Sequence, residues 1–396
     1  MKFWNNKRRI YADAAAATPL STSVEKELMR LLRLYGNPSA LHEEAQLAQR
    51  ELDTARERIA HTIAAHADEI IFTSGGTEAN NLAIFGILRT FLQAGEKVHA
   101  VTSSIEHSSV LEPLRALVRD GLLLTELPVD EGGTVDPKTL REAITEDTVF
   151  VSVQMVNSEI GTIQDIREIA KVIRHERSRR TDGLPLYFHT DASQAPLWLP
   201  LHVERLGVDL LTLDAQKIMG PKGAGALYVK RGVPLAPHIY GGGQERGLRS
   251  GTENVAFAGA LAVALLEAQK GVEEHAKKIS LIRDFLLSEI QKRIPNVALN
   301  GTAGEWRAPN NLNIYIPNLN GDMAVVALNA EGIAASTRSA CDTDDENPSH
   351  VLSALGYSAE RAKSSIRLTL LPSATESEAS QIAESLAEVF ERYSQK

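Results

Sequence analysis

The period of the apolar positions changes along the chain. Val24, Leu28, Leu31 and Leu32 share one helix face, and Thr22-x-x-Glu25 ahead of them reads as a capping box. A second helix is predicted from about His42 to His66, with Ala48, Leu52, Ala55, Ile59 and Ile63 on one stripe. Short apolar runs follow at 69–73, 98–102, 149–153, 186–190, 209–213 and 225–229. Helical patterns at 78–92, 109–120, 137–144 and 166–179 separate most of them. Strands apolar on both faces that alternate with helices predict a parallel or mixed sheet covered by helices. The last two runs, joined by a Gly-rich turn, are a local exception to that alternation.

From 254 to about 294 the pattern is long and helical, and it is expected to cross from one domain to another. The remainder reads as strand 312–316, helix 322–329, strand 333–338, a loop with Cys341, helix 348–355, strand 365–370 and helix 376–393. That is a small α+β domain. The expected division is a large domain over 21–260 and a small domain built from 1–20 and 261–396 that carries the Cys341 loop. No Pro/Ser-rich linker separates them, so they are expected to pack closely.

Composition narrows the function. The chain has 396 residues, 42 Lys plus Arg against 51 Asp plus Glu, and a formal net charge of −9. The acidic balance argues against nucleic acid as the main partner, because phosphate binding needs a clustered positive field. The single cysteine excludes an intramolecular disulfide, thiolate zinc cages and CxxC redox chemistry, and fits a reducing compartment. Lys7-Arg8-Arg9 is not followed by the apolar run of a signal peptide, and Val255–Leu266 is too short to span a bilayer. A soluble, cytoplasmic protein with no membrane contact is expected.

In open α/β sheets ligands bind beyond the carboxyl ends of the strands, so the polar residues there are the candidates. Thr73-Ser74-Gly75-Gly76-Thr77-Glu78 ends a strand and opens a helix, either as an ordinary cap or as an anion cradle. Asp191, after the strand at 186–190, is either a cap or a partner for a heterocycle nitrogen. Lys217, beside a Gly/Pro turn, is either solvated or a Schiff-base amine. His107 has no second histidine at metal-ligand spacing, and no metal site is expected. Cys341 precedes Asp342, Asp344, Asp345 and Glu346, which cannot easily be core, so the thiol is expected on an exposed loop. A phosphate cradle, a strand-end carboxylate and a strand-end lysine together suit pyridoxal phosphate (PLP).

The motifs, in order, resemble the cysteine desulfurases of the NifS/IscS type, within the class V aminotransferase family of PLP fold type I. They are Tyr11-Ala12-Asp13-Ala14-Ala15-Ala16-Ala17-Thr18-Pro19, Gly36-Asn37-Pro38-Ser39, Ser74-Gly75-Gly76-Thr77-Glu78-Ala79-Asn80-Asn81 and Glu106-His107. Asn157-Ser158-Glu159-Ile160-Gly161, Asp191-Ala192-Ser193-Gln194, Lys217-Ile218-Met219-Gly220-Pro221, Gly247-Leu248-Arg249-Ser250-Gly251-Thr252, Ser339-Ala340-Cys341 and Ser365-Ile366-Arg367 complete the set. The resemblance implies an α/β fold whose large domain holds a mostly parallel, seven-stranded sheet covered by helices.

It also implies roles. Lys217 would bind PLP covalently and act as acid and base. Asp191 would pair with the pyridinium nitrogen, His107 would stack on the ring, and Gln194 would bond its phenolic oxygen. Gly76, Thr77 and Gln216 would meet the phosphate, with Thr252 reaching the phosphate of a partner subunit in a homodimer. Asn37, Asn157 and Arg367 would hold L-cysteine, and Cys341 would take its sulfur as a persulfide for a sulfur-acceptor protein serving iron–sulfur assembly or tRNA thiolation. Selenocysteine lyase, another class V transferase, or a weakly active scaffold are the alternatives.

The chain departs from the family pattern in Asp214-Ala215-Gln216-Lys217, where Ser-x-His-Lys is usual. Phosphate binding by positions 214 and 216 is therefore in question. Gln244 replaces a His, Ala14 and Ala17 replace Asn and Thr, and the acids after Cys341 would raise its thiol pKa.

Overall fold

The computed structural model describes residues 9–180, 184–337 and 349–394. The strands are β1 (Ile10–Tyr11), β2 (Ile70–Thr73), β3 (His99–Ser103), β4 (Leu123–Leu127), β5 (Thr148–Ser152) and β6 (Tyr187–Asp191). They continue as β7 (Leu210–Asp214), β8 (Gly225–Val229), β9 (Ala298–Leu299), β10 (Asn311–Tyr315), β11 (Ile333–Ala334) and β12 (Ser365–Thr369). The helices begin with α1 (Thr22–Leu31), α2 (Glu43–Thr62), α3 (Gly76–Gln93), α4 (Ser108–Val118), α5 (Pro137–Ala143), α6 (Ile166–Arg179) and α7 (Val203–Leu206). Then come α8 (Val255–Gln269), α9 (Val272–Arg293), α10 (Gly321–Ala330), α11 (His350–Ala354), α12 (Ala359–Lys363) and α13 (Glu376–Tyr393).

The large sheet has seven strands in the order β2-β8-β7-β6-β5-β3-β4. All neighbours are parallel except β8, which runs antiparallel to β2 and β7. Successive residues of these strands face opposite layers. Ile70, Val101, Val151 and Leu211 join the core under α2, α6 and α8, whereas Ile71, Ala100, Phe150 and Leu210 join the core under α3 and α4. Burial on both faces is why these strands read as continuous apolar runs. β4 escaped that reading because it is an edge strand, mostly half-exposed, with polar Thr125 and Glu126.

α8 is apolar on every side because it is enclosed by α1, α2 and the sheet core. Gly259 lets it approach α1, since a Cβ there would collide with Leu31. The helical pattern predicted across 254–294 is broken at Lys270-Gly271, where Gly271 takes φ +68° and α9 departs at 70°. α9 packs into a second core with α10, α13, β10 and β12, including Ile282, Leu286, Ile314, Leu368, Ile382 and Leu386. Among the described residues no single helix is long and apolar enough to cross a membrane.

Two local readings change. The cap of α1 is Ser21, not Thr22. Ser21 keeps an extended backbone and its hydroxyl accepts from the Val24 N–H at 3.2 Å, so the box with Glu25 does not form. Of the strand predicted at 333–338, the described residues pair over Ile333–Ala334, with an isolated bridge from Ser336 to Arg367, and residue 338 lies outside the described residues.

Candidate active site

β6 and β7 end on Asp191 and Asp214. Their ends, the first turn of α3 and the segment 13–16 enclose a cavity of about 280 Å³. Gly76, Thr77, His107, Asp191, Gln194, Gln216, Lys217 and Arg367 all line it. Lys217 closes a short 3-10 turn after β7, which aims its Nζ across the cavity. Nζ donates to the carbonyls of Ala15 at 2.9 Å and Ala16 at 2.7 Å, and Gln194 Nε2 donates to the same Ala15 carbonyl at 2.9 Å.

A polar chain fixes Asp191 and His107 together. Asp191 Oδ1 accepts from the Ser193 N–H at 2.9 Å, and Oδ2 accepts from Asn80 Nδ2 at 2.7 Å. The same Asn80 amide donates to Ser109 Oγ at 2.8 Å. The Ser109 hydroxyl proton is then left for His107 Nδ1, 2.7 Å away, which also accepts the Ser109 N–H at 3.1 Å. Both contacts make Nδ1 an acceptor, so this network assigns the proton of the neutral imidazole to Nε2.

Behind this layer lie two buried titratable groups. His189 contacts Ser152 Oγ at 2.9 Å and Thr212 Oγ1 at 3.1 Å, and burial lowers its pKa against the opposing pull of Asp191. Glu106 is fully buried, and desolvation pushes its carboxyl up to about 8. Its Oε1 accepts from Ser103 Oγ at 2.6 Å and the Gln154 N–H at 2.9 Å, while Oε2 has no hydrogen-bond partner among the described residues.

Arg367 comes from the other sheet. It sits at the centre of β12, is 1% exposed, and reaches into the cavity of the large sheet. One amine bonds Asp13 Oδ1 at 2.8 Å and the other the Ser158 carbonyl at 3.1 Å. Its buried Nε has no hydrogen-bond partner among the described residues. A guanidinium at a cavity wall suits a carboxylate ligand.

The other predicted residues stand elsewhere. Asn157 is buried behind the wall. Its Oδ1 accepts the Glu159 and Ile160 N–H groups, and its Nδ2 donates to the Ile105 carbonyl at 3.0 Å. Asn37 is exposed and caps its own turn at the Ser39 N–H, and Thr252 is exposed on the Gly-rich segment. Cys341 lies outside the described residues. Sequence reasoning gave no role to Asn80, Ser109, Asp13 or Glu106. Asn80 carried a readable signal, being one turn after Thr77 on α3 yet polar amid Ala79, Leu82 and Ala83.

The residues fit pyridoxal phosphate. The α3 N-terminus has no side-chain cap, and Gly75 holds φ +147°, a region closed to other residues. A Cβ on Gly76 would lie 2.9 Å from Ser193 Oγ, so glycine keeps the anion cradle open. Asp191 would supply the anion for a ring nitrogen and Lys217 the amine. One lining group, the Asp214 carboxylate, has the wrong sign for a phosphate neighbour.

Comparison with known proteins agrees with this geometry. The aminotransferase class-V family model matches residues 10–382. The cysteine desulfurase IscS of Dictyoglomus turgidum is 42% identical over 369 residues, 92% of this chain and 90% of that relative. A solved NifS-like protein superposes with a TM-score of 0.90 at 33% identity, covering 97% of this chain and all of that one (100%). The solved SspA in complex with cysteine gives a TM-score of 0.79 at 33% identity, covering 92% of this chain and 100% of that one. With strand-end lysine and carboxylate in one cavity and likeness along nearly its whole length, the chain belongs to the PLP-dependent class-V aminotransferases and, within them, to the cysteine desulfurases.

Proposed function

We propose that the protein converts L-cysteine to L-alanine and keeps the sulfur as a persulfide on Cys341. The observation that carries this reading is the convergence of Lys217, Asp191, His107 and Arg367 on one cavity. The likeness to a relative solved with cysteine supports the substrate. When bound, pyridoxal phosphate supplies an electron sink for charge developing at the substrate carbons.

The chain's own residues do the rest. Arg367 holds the substrate carboxylate, exchanging contacts with Asp13 and the Ser158 carbonyl for it. Asn157 supports that wall through its bonds to 159, 160 and the Ile105 carbonyl. Lys217 Nζ holds the cofactor and moves the proton of the substrate α-carbon. Asp191, fixed by Asn80 and Ser193, keeps the ring nitrogen protonated, and Gln194 donates to the phenolic oxygen. Gly76, Thr77 and Gln216 border the phosphate. His107 covers the ring face with Nε2–H as its available proton. The Cys341 thiolate attacks the substrate sulfur: the S–S bond forms and the C–S bond breaks. That electron pair leaves with the carbon, which a proton completes to alanine. Sulfur is oxidised and carbon reduced, so no outside oxidant is needed.

The assembly is a homodimer. Asn37 and Thr252 are exposed away from this chain's cavity, and exposed Tyr35, Leu41 and Tyr240 flank those segments, 83%, 90% and 81% accessible. A second copy that covers this apolar surface brings Thr252 to its partner's phosphate. The persulfide passes to an acceptor protein for iron–sulfur assembly or tRNA thiolation in the cytoplasm.

The test is to incubate the purified protein with L-cysteine and a reductant and measure sulfide and alanine. Cys341→Ser is expected to abolish both, and Lys217→Ala to lose the visible band of the bound cofactor. Turnover unchanged by Cys341→Ser refutes the sulfur-transfer step. Light scattering that gives a monomer refutes the dimer.

A further inference from the structure

The cavity contains an anion at the place built to receive one. Asp214 is the last residue of β7 and is 6% exposed. Its Oδ1 accepts the Gln216 N–H and its Oδ2 the Gln216 Nε2, both at 3.1 Å. That Oδ2 faces the start of α3, 3.2 Å from where a Cβ on Gly76 would lie and 3.9 Å from one on Gly75. No Lys, Arg or His among the described residues forms an ion pair with it. The uncapped positive end of an 18-residue helix is therefore already matched by a buried carboxylate.

We propose that Asp214 makes the phosphate end of the cavity a self-filled anion site, so that the cofactor is retained chiefly through its ring and Lys217 and only weakly through its phosphate. The inference rests on the reading that this cradle takes the phosphate of pyridoxal phosphate. One helix end attracts one anion modestly, whereas two anions held a few ångströms apart in a partly desolvated wall repel more strongly than that attraction. Gln216 strengthens the arrangement, because its two bonds to Asp214 hold the carboxylate in place and neither brings a positive charge to the phosphate.

The experiment compares two ligands that differ only in the phosphate. Apoprotein is titrated with pyridoxal phosphate and with pyridoxal, following the visible absorbance of the bound group, for wild type, Asp214→Asn and Asp214→Ser. The amide can still accept the Gln216 N–H and so keeps the 3-10 turn; the serine is a second, smaller neutral replacement. Wild type is expected to prefer pyridoxal phosphate over pyridoxal by no more than about tenfold. Both variants are expected to bind pyridoxal phosphate about 10–100-fold more tightly, which corresponds to about 1.4–2.8 kcal/mol. Pyridoxal affinity is expected to change by less than about threefold. Equal gains for both ligands, or no gain for pyridoxal phosphate, overturn the role of Asp214 and leave the functional reading standing. Wild-type protein that binds neither ligand overturns the functional reading, and the inference with it.

Discussion

The buried carboxyl of Glu106 makes stability depend on pH in a direction opposite to that of most acidic residues. Desolvation, aided by the nearby charge of Asp191, raises it from an ordinary 4.5 to about 8, and the bonds from Ser103 and the Gln154 N–H only partly offset this. Between those values the folded state holds a proton that the unfolded chain has released, so stability falls as pH rises. The loss begins near pH 4.5, is complete above pH 8, and at about 1.4 kcal/mol per unit amounts to about 5 kcal/mol. Glu106→Gln removes the titration. The amide oxygen keeps the two acceptor contacts of Oε1, and its NH2 replaces the proton that Oε2 carries. Urea unfolding of wild type and variant at pH 5, 6, 7, 8 and 9 measures the effect, with titrations common to both proteins cancelling in the difference. The variant's advantage is expected to grow by about 4 kcal/mol from pH 5 to 9 and to flatten above 8. A difference that is constant across the range, or that shrinks as pH rises, shows that Glu106 does not carry this titration.

Three further outcomes are expected. Glu245→Ala should cost about 2–4 kcal/mol in urea unfolding, because it removes the carboxylate from partly buried Arg56, its partner at 2.5 Å, and leaves the buried Phe72 N–H without its acceptor; a loss below about 1 kcal/mol would contradict this. Gly76→Ala should weaken pyridoxal phosphate binding by about threefold to tenfold, measured by titration, since the new methyl would press on Ser193 Oγ. Arg367→Lys should raise KM for L-cysteine about tenfold or more with a smaller change in kcat, because an ammonium cannot hold a carboxylate with two parallel bonds.

Six strands of the large sheet were legible because their central residues are apolar on both faces, and two packed layers demand that pattern. The edge strand β4 was not, since half of its surface is solvent and its polar residues resemble a loop. Lys217 and Asp191 were legible because they follow strands at the end where open α/β sheets bind ligands. Ser109 was not, because a polar residue in the first turn of a helix is ordinary until the fold brings His107 and Asn80 to it. Asp13 and Arg367 are 354 positions apart, and nothing local in either segment announces their pairing. Asn37 and Thr252 carried family motifs, yet a single chain does not bring them to its own cavity. Glu106 was visible only as the neighbour of His107, because its altered acidity is a product of burial and not of its sequence context.

The segment 10–16 has a consequence for the order in which the protein is made. Ile10 pairs with Ile333 and the Ala14 N–H bonds the Thr369 carbonyl, while the Ala15 and Ala16 carbonyls receive Lys217. Residues 10–16 are thus made well before the partners they pair with. The cavity wall facing Lys217 cannot close until β11 and β12 have been synthesised. A nascent chain that has completed its large sheet still lacks both that wall and Arg367. Cofactor that meets the chain before β11 and β12 emerge would find Lys217 and Asp191 in a cavity still missing its 13–16 wall.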